Sequence, residues 1–204
     1  MTAPTNFLVD FDIEDLAQYL QRFPKVYLEL RLNDTRFELI AKSIDLVFRI
    51  GPLQDSSLVA RRQRDTYRYL VASPLCLSSA GVPQTVEELA EHECIGPPSS
   101  GGAQTHWYLD GPGGPRTVRV GGRFNSSTVG SRICAARMGL GASFLPFGVI
   151  VEDLAAGRLV RVLPEYRQDL DGAWIVYPSR RNISAAARTL AEFVAAKLTP
   201  RLSE

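Results

Sequence analysis

The chain is poor in the residues that most site chemistry uses. Its 204 residues include three cysteines, two histidines and two tryptophans. Cys76, Cys94 and Cys134 stand far apart with no C-x-x-C pair. That excludes a disulfide framework read from spacing and suits a reducing compartment. His92 and His106 have no His, Cys, Asp or Glu at ligand spacing, so no metal site is expected. No sign of charge dominates: 23 Lys+Arg against 22 Asp+Glu leave a net charge of +1. A chain that covers a nucleic-acid backbone by itself is usually far more basic. No apolar run approaches the ~20 residues of a membrane-spanning helix. The start, "MTAPTNFLVDFDIEDL", has no basic region before an apolar one and meets Asp10 and Asp12 early, unlike a signal peptide. These absences predict a soluble, cytoplasmic protein with no membrane partner. G-x-S-x-G, P-loop and H-E-x-x-H motifs are also missing, and no spacing singles out a general acid and base. No catalyst can be named, so the chain is not read as an enzyme and no cofactor is expected.

What is present is hydrophobic patterning that alternates helix and strand. The composition is 45% hydrophobic, enough for one sizeable unit or two small lobes. A helix is predicted over 7–23, with Ile13, Leu16, Leu20 and Phe23 as its apolar stripe and Pro24 as its stop. Acids at Asp10, Asp12, Glu14 and Asp15 suit the positive end of its dipole. "KVYLELRL" then alternates, with Val26, Leu28, Leu30 and Leu32 on one face of a strand. Thr35 and Glu38 have capping-box spacing and open a second helix. "DLVFRI" (45–50) is a nearly continuous apolar run, as in a central parallel strand covered on both faces. A right-handed βαβ unit is the expectation for the first 50 residues.

Further strands are expected at 65–74, within "GRLVRVL" and within "AWIVYPS". A hairpin is expected with strands at 106–110 and 116–124 around a Pro/Gly turn at 111–115. Thr85 and Glu88 form a second capping box, opening a helix to about His92. "FNSSTVGSRICAARMGLGASFLP" (124–146) places Gly139 and Gly141 after a helix, where glycine supplies a turn, rather than before one, where anions bind. Val129, Ile133, Ala136 and Leu140 are its predicted buried stripe, with Cys134 in or near the core. A short helix at 147–156 and an amphipathic helix at about 183–198 complete the chain. Each cysteine fits a small core residue better than a nucleophile. His92 fits a residue facing solvent or a helix end. The basic run Arg61, Arg62, Arg64 and Arg68 has two readings, a nucleic-acid patch or a solvated strand connection. Near-zero net charge and the lack of a helix-turn-helix favour the second.

The order of segments suggests a first lobe that is left near residues 65–70 and re-entered near 165–173. Several motifs, in order, then resemble one family. "APTNF" and "QRFPKVYLELRLND" are similar to the entry and second strand of the effector-binding domain of LysR-type transcriptional regulators. So are "DLVFRIGPLQDSSLVARR", "VASPLCLSSAGVPQTVEELAEHECI", "MGLGASFLP", "EDLAAGRLVRVLPEY" and "VYPSRRNI". The resemblance covers essentially the whole chain. It implies an α/β fold of the type 2 periplasmic-binding-protein kind, with two Rossmann-like subdomains, two crossover strands and a ligand cleft between. Subdomain I would be 1–68 with 168–204, and subdomain II 69–167. The resemblance also implies a small-molecule effector, a homodimer, and a tetramer in a full-length protein. DNA would be bound only through a winged helix-turn-helix that these 204 residues do not contain. A stand-alone solute-binding protein of the same fold is the alternative, and an enzyme on this fold a third reading.

Effector contacts are carried over by position. They are Thr5 and Asn6 after the Ala-Pro pair, Asp34 and Thr35 after the second strand, and Arg49 at the end of the central strand. From subdomain II come Pro97 and Ser99 in an irregular loop, then Asn125, Ser126, Ser127 and Thr128, with Phe144 closing one wall. Each hydroxyl residue at a helix start is also a plain cap candidate. The chain departs from the family at Asn6, where Ser is frequent, at the acidic Asp10 and Asp12, and at Gln63 in place of Leu.

Overall fold

The computed structural model describes residues 1–33, 44–53, 59–99, 104–177 and 183–198. In chain order the elements are β1 (Thr2–Ala3), α1 (Phe7–Asp10), α2 (Ile13–Arg22), β2 (Arg31–Leu32), β3 (Val47–Ile50), β4 (Val59–Arg64) and β5 (Tyr67–Ala72). There follow α3 (Pro74–Ala80), a 3-10 turn (Glu87–Glu91), β6 (Cys94–Ile95), β7 (Gln104–Gly111), β8 (Gly114–Gly121), α4 (Val129–Arg137) and β9 (Ala142–Pro146). A second 3-10 turn (Phe147–Val149), α5 (Val151–Ala155), β10 (Val160–Arg161), β11 (Arg167–Asp169), β12 (Ala173–Tyr177) and α6 (Ala185–Lys197) complete the chain. They form two compact units: Met1–Thr66 with Leu170–Glu204, and Tyr67–Asp169. The chain passes between them twice, at Thr66–Tyr67 and at Asp169–Leu170.

The first unit is a five-stranded sheet in the order β2-β1-β3-β12-β4. β3 is central, as its apolar run predicts. It is parallel to β1 but antiparallel to β12, so the parallel character extends to one side only. One face of the sheet buries Phe48 and Ile175 against Phe7, Phe11, Leu16, Tyr19, Leu190 and Val194. The single helix expected over 7–23 is two helices. Phe11 is extended (φ −141°, ψ 109°) and buried, stacked on Phe7 with ring centroids 5.3 Å apart. Inserting that ring into the core breaks the helix and resets its phase. Leu16 and Tyr19 therefore face inward, while Ile13 is 62% exposed and Leu20 is at the surface. The Tyr19 hydroxyl reaches the Ala186 carbonyl at 3.1 Å and so ties α2 to α6. The strand expected over 25–32 pairs only at Arg31–Leu32, because its partner β1 is two residues long. Val26, Leu28 and Leu30 still pack on the core and Tyr27 points outward, but Leu32 does not follow them inward. The helix opened by Thr35 and Glu38 lies outside the described residues.

The second unit is built on a sheet ordered β6-β9-β5-β11-β7-β8, with β10 also pairing β5. A one-residue bridge from Gly121 to Glu93 brings the far strand back beside the residue preceding β6, so the sheet curls on itself. Leu70, Leu109, Trp107, Val120 and Phe144 fill one face, and Tyr69, Val71, Ile133, Leu145 and Ile150 the other. The β7–β8 turn is tighter than expected: Gly111 pairs with Gly114, leaving only Pro112 and Gly113 between them. The second capping box forms, with Thr85 Oγ1 accepting from Glu88 N–H at 3.3 Å and Glu88 Oε2 accepting from Gln84 N–H at 2.8 Å. It opens a 3-10 turn rather than an α-helix. The strand expected in "GRLVRVL" pairs only at Val160–Arg161 before Leu163 turns the chain at φ 47°. On α4, Val129, Ile133 and Ala136 are buried as predicted, but Leu140 is 46% exposed because it lies past the helix end, beyond Gly139. Cys134 is exposed, correcting its core placement, because it sits about a third of a turn from the inward stripe of α4. Cys76 and Cys94 are buried.

Candidate functional site

The first unit contributes the turn that follows β1. The Pro4 carbonyl accepts the Phe7 N–H at 2.9 Å, and Phe7 is locked between Phe11 and Phe48. This fixes Asn6, which is 5% exposed. Asn6 is the residue before α1, yet its side chain does not cap the helix, and its Nδ2 has no hydrogen-bond partner among the described residues. Leaving a buried amide donor unsatisfied costs about 1–3 kcal/mol. The Asn33 N–H donates to the Ala3 carbonyl at 2.9 Å, which holds the residue after β2 alongside this turn. Thr5 is half-buried beside Asn6. Asp34 and Thr35 lie outside the described residues. Arg49 is half-buried on β3, opposite Trp174 of β12.

In the second unit the structure draws the predicted loop residues together around one glycine. Gly96 follows β6; its N–H donates to Asn125 Oδ1 at 3.1 Å, and its carbonyl accepts the Ser126 N–H at 3.0 Å. A Cβ on Gly96 would lie 3.1 Å from the Thr105 methyl, so the close approach favours glycine. Ser126 Oγ accepts the Thr128 N–H at 3.3 Å. Thr128 Oγ1 accepts the Ser131 N–H at 3.4 Å, which makes Thr128 the N-cap of α4. Ser99 Oγ donates to the Gln104 carbonyl at 2.5 Å. Ser127 and Pro97 are exposed. Phe144 is not with them. It is 4% exposed and packs 5.7 Å from the Trp107 ring in the core, because β9 turns it to the same face as Leu70 and Leu109.

Three buried polar features were not legible in the pattern. Thr66 Oγ1 and Arg68 Nε, on either side of the first chain crossing, are enclosed and have no hydrogen-bond partner among the described residues. In the sequence Arg68 falls in one basic run with Arg61, Arg62 and Arg64, which the structure places on β4. Asp153 is fully buried on α5 and accepts from Arg137 and from Arg158, each at 2.6 Å, tying α4 to the turn after α5. Among the described residues no group of three His, Cys, Asp or Glu side chains is placed to hold a metal ion. No described helix is long and apolar enough to cross a membrane.

The LysR substrate-binding-domain family model matches residues 5–199. An uncharacterized HTH-type transcriptional regulator of Haemophilus influenzae is 28% identical over 183 residues, 90% of this chain and 63% of its own length. The HTH-type transcriptional regulator PtxR of Pseudomonas aeruginosa is 33% identical over 195 residues, 94% of this chain and 61% of its own. The regulatory domain of CrgA, a LysR-type transcriptional regulator from Neisseria meningitidis, superposes with a TM-score of 0.79 at 26% identity, over 97% of this chain and 96% of that one. The chain thus spans about three-fifths of the curated relatives it matches, and nearly all of a solved regulatory domain.

Proposed function

The chain belongs to the LysR substrate-binding-domain family, and from that premise we propose that it is the effector-sensing part of a transcriptional regulator, recognising a small molecule and passing that event to a homodimer. The supporting observation is Asn6. Folding rarely leaves a donor that is 5% exposed without an acceptor, and the surroundings hold this one rigidly at the start of α1. A ligand acceptor would satisfy it. Within the second unit, taken by itself, Ser126 and Ser127 with the backbone around Gly96 are the candidate contacts. Thr128 is assigned to capping and Phe144 to the core. In this reading DNA binding, and the tetramer of a full-length protein, would need the rest of a longer regulator, of which this chain spans about three-fifths.

The test is a thermal-shift screen of small organic acids, amino acids, amines and neutral aromatics, followed by calorimetry on any binder. A true effector raises the melting temperature with ligand excess, by about 2.7 kcal/mol of added stability at one hundred times Kd. Asn6→Ala is expected to weaken that binder about tenfold, the loss of one hydrogen bond to a buried donor. A binder indifferent to both Asn6→Ala and Ser126→Ala would remove this site from consideration.

A further inference from the structure

The chain has three cysteines and two methionines. Cys76 and Cys94 are buried, and Met1 belongs to the first unit. The other two sulfur residues stand together on α4: Cys134 is exposed, and Met138, four residues on, is 70% exposed. Val129, Ile133 and Ala136 are the inward stripe of this helix, so both sulfur side chains share the face turned away from the core. The Met138 N–H donates to the Cys134 carbonyl at 3.1 Å, so the turn between them is α-helical. Residues four apart in such a turn have Cβ atoms about 5–6 Å apart and meet side by side. The helix end is also fixed. The Gly139 N–H donates to the Ala136 carbonyl and the Leu140 N–H to the Ala135 carbonyl, each at 3.1 Å. Arg137, the cation beside the pair, is held aside, with Nε and Nη2 donating to Asp153 Oδ2 at 2.9 and 2.6 Å. Leu75 packs on Gly139, where a Cβ would come within 3.1 Å of it, and gives the Met138 end an apolar border. From Met138 to Val151 no residue is charged.

Thiolate and thioether are soft donors, and such donors select copper(I) over hard cations. A thiolate sulfur stands about 2.3 Å from a bound metal, so two sulfurs on one ion lie about 4–5 Å apart, within reach of side chains one helical turn apart. We propose that Cys134 and Met138 form a two-sulfur site on the outer face of α4 for a soft monovalent cation of the copper(I) class. The Cys134 thiol releases its proton to solvent as the sulfur–metal bond forms, and the Met138 thioether adds a lone pair. No oxidation state changes, and the thiolate cancels the charge of the ion. Structural zinc asks for four ligands. Among the described residues no group of three His, Cys, Asp or Glu is placed to hold a metal, so the pair suits an ion content with two donors. The site lies wholly within the second unit and does not depend on the effector-binding reading.

The experiment adds silver nitrate, a redox-inert probe of the same class, to the chain in chloride-free buffer, with zinc sulfate as the harder control. The methionine methyls are labelled with carbon-13, which gives one signal for Met1 and one for Met138. One equivalent of silver is expected to move the Met138 signal, leave Met1 in place and protect Cys134 from a disulfide reagent. Copper(I), added under nitrogen against a chromogenic chelator, is expected to bind likewise. Met138→Leu is expected to weaken copper(I) about tenfold, through loss of one soft donor, and Cys134→Ser to abolish the methyl shift. Both side chains are exposed, so both variants are expected to melt with the parent chain. The proposal fails if Cys134 is protected while the Met138 methyl stays still, since the thiol then acts alone. It fails if Met138→Leu binds copper(I) like the parent, or if half an equivalent saturates, since two chains then share the ion through their thiolates. Zinc that displaces the silver would overturn the class of cation.

Discussion

The three cysteines show how little a residue's type says about its surroundings. Cys94 lies beneath the 3-10 turn, with Cys76 and Glu93 nearby, and burial drives its pKa up to about 12. Burial also raises the Cys76 thiol. A thiol reacts as its thiolate. At pH 8, below those raised values, both buried groups stay protonated and unreactive while the fold persists. Cys134 is exposed on α4. Titration of the native protein with an aromatic disulfide reagent is expected to register one fast thiol, and three after denaturation. Two fast native thiols would contradict the buried placement of Cys76 or Cys94. The same separation of type from place holds among the arginines. Arg62 meets Asp65 at 2.8 Å on an exposed strand, whereas Arg68, a few residues on, faces a core. Both were part of one basic run in the sequence.

At the scale of elements, local signals predicted where helices start better than how far they run. Thr85 with Glu88, and Thr128, cap as their side chains suggest. Lengths were set by partners: β2 ends where β1 does, and α1 ends where Phe11 enters the core. The turn between α4 and β9 tests this view. Gly141 sits at φ +151°, and a Cβ there would press on the Glu93 carbonyl, which accepts the Ala142 N–H at 2.8 Å. Gly141→Ala combines backbone strain with a clash in a fixed ladder, and is expected to cost about 2–4 kcal/mol in urea unfolding. Gly157→Ala is the control. Its φ of +67° also favours glycine, but a Cβ there meets nothing within 4 Å, so the loss should be only about 1–2 kcal/mol. Equal losses would mean that the contact with Glu93 contributes nothing.

At the scale of the molecule, each unit has its own core, and the chain links them only at two crossings. One tryptophan lies in each: Trp174 on β12 of the first unit and Trp107 in the core of the second. Chains with separate cores need not unfold in one step. Trp107→Phe and Trp174→Phe variants, each with a single reporter, are expected to give urea midpoints that differ. Coincident midpoints, also in the parent chain, would show that the two units unfold as one.

Alternation and periodicity in the sequence were enough to determine an α/β chain, a central strand within 45–50 and a last amphipathic helix. The ordered motifs were enough to identify the family. They pointed to Asn6 and to the Asn125–Thr128 turn by position. Tertiary structure alone decided that Asn6 is buried with a donor unspent, that Thr128 caps α4, and that Phe144 fills a core. It also decided that Arg68 is parted from the basic strand beside it. The reason is physical. Propensity and capping act within a few residues, so the sequence displays them. Burial and hydrogen-bond satisfaction depend on which distant strand lies opposite, as Gln168 lies opposite Arg68 across a hundred residues of chain.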